Sequence, residues 1–366
     1  MHTALRVHFS LGKRPWHTGL MTTPDLTPPE PRNAPEPRYA ELIARIAQEL
    51  SGHQSEIVIL SHVDPDGDAL GSCLGLQRAL RLIGRQAQTY MKVPQYLEFL
   101  PSDGEVLPDL QSWPEHALLV VLDVDNNDAR RVAGADLSSF TGRVINVDHH
   151  GTNARRADLG LVNPAQAATA GMVADIAQLL LSAAGQEWTP EIATPLLTGL
   201  NTDTGSFRFA NTSPAVLRQA ASLVERGARL AWINDRLSQN PPRYFALLRE
   251  VLGSMAFSHG GLIVTARVDE AMLVRAGAAW DDVESYVNTI RSARGTELAC
   301  LFKDYGTHVK LSLRSRGRVS AQNIAVDLGG GGHFPAAGAT VQGGYEAVSR
   351  AFEEAALTEL ERVGLA

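Results

Sequence analysis

From Tyr39 onward the chain alternates between two patterns. Short runs are apolar at every position: Ile57-Val58-Ile59-Leu60, Leu118–Leu122 and Val144–Val147. Such runs suit strands covered on both faces, as in a parallel sheet. Between them lie longer stretches with apolar residues every three or four positions: Tyr39–Leu50, Ala69–Ile83, Ala170–Ala184, Glu191–Leu200 and Pro214–Arg226, with Gly84 and Gly227 placed as helix stops. The alternation predicts an α/β protein whose N-terminal, mostly parallel sheet is flanked by helices. Ala231–Arg249 is more polar, is broken by Pro241-Pro242 and reads as a connector. Beyond it, Leu262–Val268, Glu297–Phe302, His308–Leu313 and Ala339–Val341 read as strands, with helices at Val283–Ser292, Ala321–Leu328 and Tyr345–Val363. They predict a smaller C-terminal α/β domain and a cleft between the two.

Seven of the nineteen prolines fall in residues 1–38. Proline fixes φ and removes a donor, so this stretch is expected to be an extended, poorly ordered tail. The expected organisation is a tail at 1–38, a first domain at 39–229, a helical linker at 230–255 and a second domain at 256–366. Hydrophobic residues make up 44% and charged residues 20% of the 366, a globular composition. The net charge of −7 argues against coating long duplex nucleic acid, and leaves room for a short anionic ligand held by a local cluster or by metals. Cys73 and Cys300 are the only cysteines, which excludes a disulfide scaffold and fits a reducing compartment. No apolar run reaches the roughly 20 residues of a membrane span. A cytoplasmic protein without a membrane anchor is the expectation.

Chemistry concentrates where the predicted strands end. Ser61-His62-Val63-Asp64-Pro65-Asp66-Gly67-Asp68 follows the first, Asp123-Val124-Asp125 the second and Asp148-His149-His150 the third; Asn201-Thr202-Asp203-Thr204 follows a helical run. Asp68 is a candidate N-cap for the helix that begins near Ala69. Strand ends converge in open α/β sheets, so the four clusters can face one crevice. Carboxylates so gathered repel one another unless cations neutralise them. A mixed imidazole and carboxylate set without cysteine suits Mn²⁺, with Mg²⁺ or Co²⁺ as alternatives. There are enough acids for two ions and a bridging carboxylate, the clamp used for displacement at phosphorus.

His62-x-x-x-Asp66-x-Asp68, Asp123, Asp148-His149-His150 and Asp203, in that order, resemble the motifs of the DHH phosphoesterase superfamily. Gly329-Gly330-Gly331-Gly332-His333-Phe334-Pro335-Ala336-Ala337-Gly338 resembles the glycine-rich signature of its type 1 DHH-associated domain. The two-domain plan is similar to that of stand-alone NrnA-type nanoRNase/pAp phosphatases. The resemblance implies that His62 and Asp66 hold a first ion, that Asp68, His149 and Asp203 hold a second, and that Asp123 bridges them. It further implies that Asp148 orients His149 and that His150 meets the scissile phosphate; Asp64 and Asp125 are left as supporting acids. The implied activity is release of 5′-mononucleotides from very short RNA and conversion of pAp to AMP. Related readings are hydrolysis of linear or cyclic dinucleotides, RecJ-like digestion of single-stranded DNA, and a silent nucleotide-binding module. The family tendency toward homodimers is carried over as well.

The second domain is expected to hold the substrate. A glycine run lets backbone N–H groups approach an anion, so Gly330, Gly331, Gly332 and His333 are candidates. Between Tyr286 and Asn323 seven Lys/Arg face two Asp/Glu; Arg291, Arg314 and Arg316 are the candidates there for contact with a phosphate or base. Phe207-Arg208-Phe209, beside Asp203, reads as core packing or as a base contact. Cys73 reads as packing.

Overall fold

The computed structural model describes residues 37–127, 129–283 and 286–365. The expected tail up to residue 36 lies outside the described residues; Pro37 and Arg38, assigned to that tail, instead open the first helix, α1 (Pro37–Gly52). A proline suits that place, since a first-turn N–H has no helical partner.

The first lobe is built on β1 (Ile57–Leu60), β2 (Ala87–Tyr90), β3 (Val106–Leu107), β4 (Leu118–Leu122), β5 (Val144–Asp148) and β6 (Leu159–Val162). They form one sheet in the order β3-β2-β1-β4-β5-β6, and every pair is parallel. β1 and β4 are buried at every residue, as their unbroken apolar runs require. The helices are α1, α2 (Gly67–Leu82), α3 (Thr169–Ala183), α4 (Pro190–Asp203) and α5 (Pro214–Glu225). The chain leaves β1 toward β2 on one side, and β4 lies on the other. Strand order therefore reverses at the β1/β4 seam, where a crevice opens beyond the strand ends.

The second sheet runs β11-β12-β10-β9-β8-β7, from β7 (Ala256–Ser258), β8 (Ile263–Asp269), β9 (Leu298–Asp304), β10 (His308–Ser315), β11 (Gly331–His333) and β12 (Ala336–Gln342). It is mixed: β8 and β9 are parallel and the remaining pairs antiparallel. One face carries α10 (Ala321–Asp327) and α11 (Tyr345–Arg362); the other carries α8 (Glu270–Ala276) and α9 (Tyr286–Arg291). The connector is two amphipathic helices, α6 (Leu230–Ser238) and α7 (Pro242–Gly253). Ile233 of α6 is sealed into the first lobe's core; Leu247 and Val251 of α7 are sealed into the second's. Arg243 of α7 donates to Asp282 of the second lobe and to Gln95 of the first.

The closest packing in the first lobe joins α2 to α4. The chain runs from the crevice into α2, and α4 returns to it, so this contact sets the distance between the acids at their ends. A Cβ on Gly71 would overlap the Pro195 carbonyl oxygen, and one on Gly199 would lie 2.8 Å from Asp68 Oδ1. Gly71→Ala should therefore cost about 1–3 kcal/mol through overpacking. It should also weaken divalent-metal binding by forcing α2 from α4. Thermal melts with and without Mn²⁺ would check both effects; a variant as stable as the parent with the same metal response would refute the assignment.

Candidate metal centre

Each acid of the crevice is placed by its backbone. Asp66 is the N-cap of α2: its Oδ1 accepts from the N–H of Asp68 (2.9 Å) and of Ala69 (3.1 Å). Asp68, expected in that role, is already inside the helix. Its fully buried carboxylate caps a different helix, accepting from the Thr169 N–H at 2.6 Å and the Ala170 N–H at 2.8 Å at the start of α3. Two helix N-termini thus face the cluster, the end of a helix that favours negative charge. Asp123, just past β4, has a left-handed backbone (φ 62°), unusual for a residue with a side chain. The Thr169 hydroxyl donates to its Oδ1 at 3.0 Å. Asp203 is the last residue of α4, a helix that runs three residues past its expected end at Leu200.

The structure brings His62, Asp66, Asp68, Asp123, His149, His150 and Asp203 together. Three groups offer nitrogen or oxygen atoms within 4.8 Å of one another: His62, Asp66 and Asp123; Asp68, His149 and Asp203; and Asp123, His149 and His150. Asp123 stands between the first two. Its Oδ2 lies 3.5 Å from His62 Nε2, and its Oδ1 lies 3.4 Å from His149 Nε2. His149 Nε2 is also 3.3 Å from Asp203 Oδ2.

One expected role changes hands. Asp148 was assigned to His149, but its Oδ1 meets His150 Nδ1 at 2.7 Å and accepts the His150 N–H at 3.0 Å. Asn153 holds the other Asp148 oxygen at 2.7 Å. His149 Nδ1 instead faces the Gln166 carbonyl at 3.4 Å. Asp125 accepts from the Ala154 N–H at 2.9 Å, tying down the loop after His150, and Asp64 sits at positive φ. Cys73 is buried behind the site, and burial raises its thiol pKa, which suits packing rather than nucleophilic attack. Thr169, Ala170 and Gln166 were not legible as site residues, because they act through backbone atoms or through contacts distant in sequence.

The electrostatics show a cluster short of positive charge. Burial raises Asp68, and the carboxylates of Asp123 and Asp66 raise it further against the two α3 N–H bonds. Burial also raises Asp203, reinforced by Asp68, Asp66 and Asp123. Burial alone would lower the His62 imidazole, but its hydrogen bond to Asp123 and the charges of Asp66 and Asp123 push it up to about 9. Burial would raise Asp123, yet His62, His149 and His150 bring it down to about 2. His150 is raised, Asp148 and Asp123 outweighing burial. Imidazoles therefore take protons where a divalent cation would satisfy the same oxygens. The oxygen and imidazole donors fit a hard or borderline divalent ion.

None of the second-lobe candidates belongs to the three donor groups. Arg291, at the end of α9, donates Nε to the Ser315 carbonyl at 3.0 Å. Arg314 is half-buried on β10 and donates to the Leu313 carbonyl at 2.9 Å. The glycine run is not an open loop: Gly331 and Gly332 lie in edge strand β11, antiparallel to β12. The Gly330 N–H, expected to meet an anion, instead donates to the Ala325 carbonyl at 2.7 Å. The backbone of His333 pairs with Ala336; its side chain lies outside the described residues.

Two family domains match the chain: "DHH family, N-terminal domain" over residues 56–200 and "DHHA1 domain" over residues 262–360. The chain is 48% identical to the bifunctional oligoribonuclease and PAP phosphatase NrnA of Thermus thermophilus, over 91% of this chain and 98% of that protein. Among solved structures, an exopolyphosphatase-related protein from Bacteroides fragilis superposes with a TM-score of 0.77 at 21% identity, over 88% of this chain and 98% of that one. RecJ of Thermus thermophilus in complex with Mn²⁺ superposes with a TM-score of 0.53 at 18% identity, over 90% of this chain and 55% of that one. Among the described residues no helix is long and apolar enough to cross a membrane.

Protons and metal should compete for the cluster. His62 is raised from 6.5 to about 9, so its contribution to the metal-free fold is complete below pH 6.5 and lost as pH rises through 9. Asp68 and Asp203, also raised, lose their contribution in the same sense, beginning above the ordinary carboxylate range. Asp123 runs oppositely: its contribution is lost only as pH falls toward about 2. The melting temperature of EDTA-treated protein should therefore fall between pH 6.5 and 9, and the increment from added Mn²⁺ should grow across that window. Scanning calorimetry at both ends checks this, and a metal increment that shrinks with pH would contradict it.

Proposed function

Because the chain belongs to the DHH family and carries a DHHA1 domain, we propose that it is a metal-dependent phosphoesterase that degrades very short oligoribonucleotides to 5′-mononucleotides and dephosphorylates pAp to AMP. The near full-length likeness to an oligoribonuclease and PAP phosphatase supports the substrate class. The observation that carries the chemistry is Asp123, whose two oxygens face two separate donor groups. In this reading His62 and Asp66 would hold one ion, Asp68, His149 and Asp203 would hold a second, and Asp123 would serve both. Mn²⁺ is the preferred ion on the donor set. Residues 39–229 form the catalytic unit and 256–366 the substrate-binding unit, joined by 230–255.

Bound divalent ions would supply the Lewis acidity that lowers the pKa of an attacking water and screens the phosphate. The protein's own groups do the rest. In both substrates the bond that breaks joins phosphorus to the O3′ of a nucleoside. The departing O3′ needs a proton, and His150 is equipped to give it: Asp148 fixes the ring through Nδ1 and raises its pKa. The Nε2 atom is the one that would hold that proton. Asn153 and the Ala154–Asp125 bond keep the His150 loop still while this happens. On the second lobe, Arg291, Arg314, Gly331, Gly332 and His333 would hold the remainder of the substrate; Gly330 serves the turn through its bond to Ala325.

EDTA should abolish turnover of pAp and of a dinucleotide, and Mn²⁺ should restore it. A long oligonucleotide and cyclic di-AMP should be slower, which would set aside the RecJ-like and cyclic-dinucleotide readings. His150→Ala should lower kcat by about 10²–10⁴-fold with metal content unchanged. Asp123→Asn should lose bound metal and activity together. Metal-independent turnover, or none of either substrate with any divalent ion, would overturn the reading.

A further inference from the structure

The backbone just after Asp203 is strained. Gly205, Ser206 and Phe207 all have positive φ, at 57°, 58° and 61°. A residue with a side chain occupies this left-handed region only against a steric penalty. The turn is held from within: the Ser206 N–H donates to the Asn201 carbonyl at 2.7 Å, and the N–H groups of Arg208 and Phe209 both donate to the Thr204 carbonyl. What it achieves is the placement of Arg208 and Phe209.

The guanidinium of Arg291 lies 5.6 Å from the centre of the Phe209 ring, across the boundary between the lobes. Arg316 is anchored to the same residue, donating to the Arg291 backbone carbonyl at 2.8 Å. Arg208 donates Nε to the Gly205 carbonyl at 2.7 Å, which fixes its guanidinium on the near side of that boundary. Each of the three spends an N–H on a backbone carbonyl, and none pairs with a carboxylate among the described residues. Burial and the charges of Arg316 and Arg208 hold Arg291 below its ordinary pKa. Three like charges from two lobes, near enough for Arg208 and Arg316 to be felt at Arg291 and without a carboxylate partner among the described residues, are suited to an anion.

We propose that Arg208 is a specificity residue that, with Arg291 and Arg316, seats the 5′-phosphate of the substrate one nucleoside away from the reacting phosphorus. This rests on the phosphoesterase reading above and adds to it a catalytic-lobe residue and a rule of selection. In pAp and in a 5′-phosphorylated dinucleotide alike, the reacting phosphorus is carried on O3′ of a nucleoside that bears a phosphate on O5′. One seat serves both, and Phe209 beneath Arg291 fixes its geometry.

The test compares kcat/KM for pAp against adenosine 3′-phosphate, and for a 5′-phosphorylated dinucleotide against its 5′-hydroxyl form. The protein is the Mn²⁺-loaded full chain, as wild type, Arg208→Gln and Arg208→Lys. Wild type should prefer the 5′-phosphorylated member of each pair by about 10–100-fold, the worth of a charge-assisted hydrogen bond to phosphate. Arg208→Gln should lose most of that preference, chiefly through KM. Arg208→Lys should recover part of it, because the charge remains. Wild type without the preference, or Arg208→Gln with it intact, overturns the seat and leaves the phosphoesterase reading standing. Failure of wild type on all four substrates removes both.

Discussion

Three carboxylates that repel one another, Asp68, Asp123 and Asp203, each bring an oxygen within 4.0 Å of His149 Nε2 in a place largely closed to water, and the first lobe is arranged around keeping them there. Desolvation and mutual repulsion both favour dispersal. Three features oppose it. The start of α3 gives Asp68 two backbone N–H groups. His62, His149 and His150 surround Asp123. The third is steric: α2 and α4 approach across Gly71 and Gly199 until backbone meets backbone, and Asp68 and Asp203 have nowhere to retreat. A bound divalent cation would complete the arrangement, supplying charge that the imidazoles supply only by holding protons.

Much of this could be read from the chain alone, and the reason is specific. β1, β4 and β5 are covered on both faces, so their sequences are continuously apolar and their ends are sharp. Polar residues directly after such runs stand out, which exposed His62, Asp123 and Asp148-His149-His150. β2 reads Ala-Gln-Thr-Tyr, and β3 has two residues; neither carries a period long enough to see. The connector looked polar because each of its helices buries only a narrow stripe, centred on Ile233 in one and on Leu247 and Val251 in the other. The partners of the site acids were hidden for another reason. That Asp68 caps α3 a hundred residues away, or that Asp148 serves His150 rather than His149, is decided by how helices and loops pack, and spacing along the chain does not carry it.

The glycine run shows the same limit from the other side. Its composition suggests a mobile cradle, yet Gly331 and Gly332 lie in an edge strand against β12, and the absence of a Cβ at Gly332 lets the Ala336–Ala337 backbone come close. Glycine here serves close packing of two strands as much as access for a ligand. In the proposed reading, anion binding by the second lobe would therefore depend on its arginines as well as on its backbone.

The two lobes are coupled through a short piece of chain. α4 ends at Asp203 in the cluster, and six residues later Phe209 lies under Arg291 of the other lobe. Between them is the left-handed turn, closed at its far end by Asn211, whose side chain donates to the Asp203 carbonyl at 3.0 Å. Phe209, on which Arg291 rests, is thus tied through six residues to the backbone of Asp203, and the bonds at both ends leave that segment little freedom. In the proposed reading, the seat for the 5′-phosphate and the carboxylate that completes the cluster lie on one bonded segment, so the distance between them is set by the fold and not by the ligand.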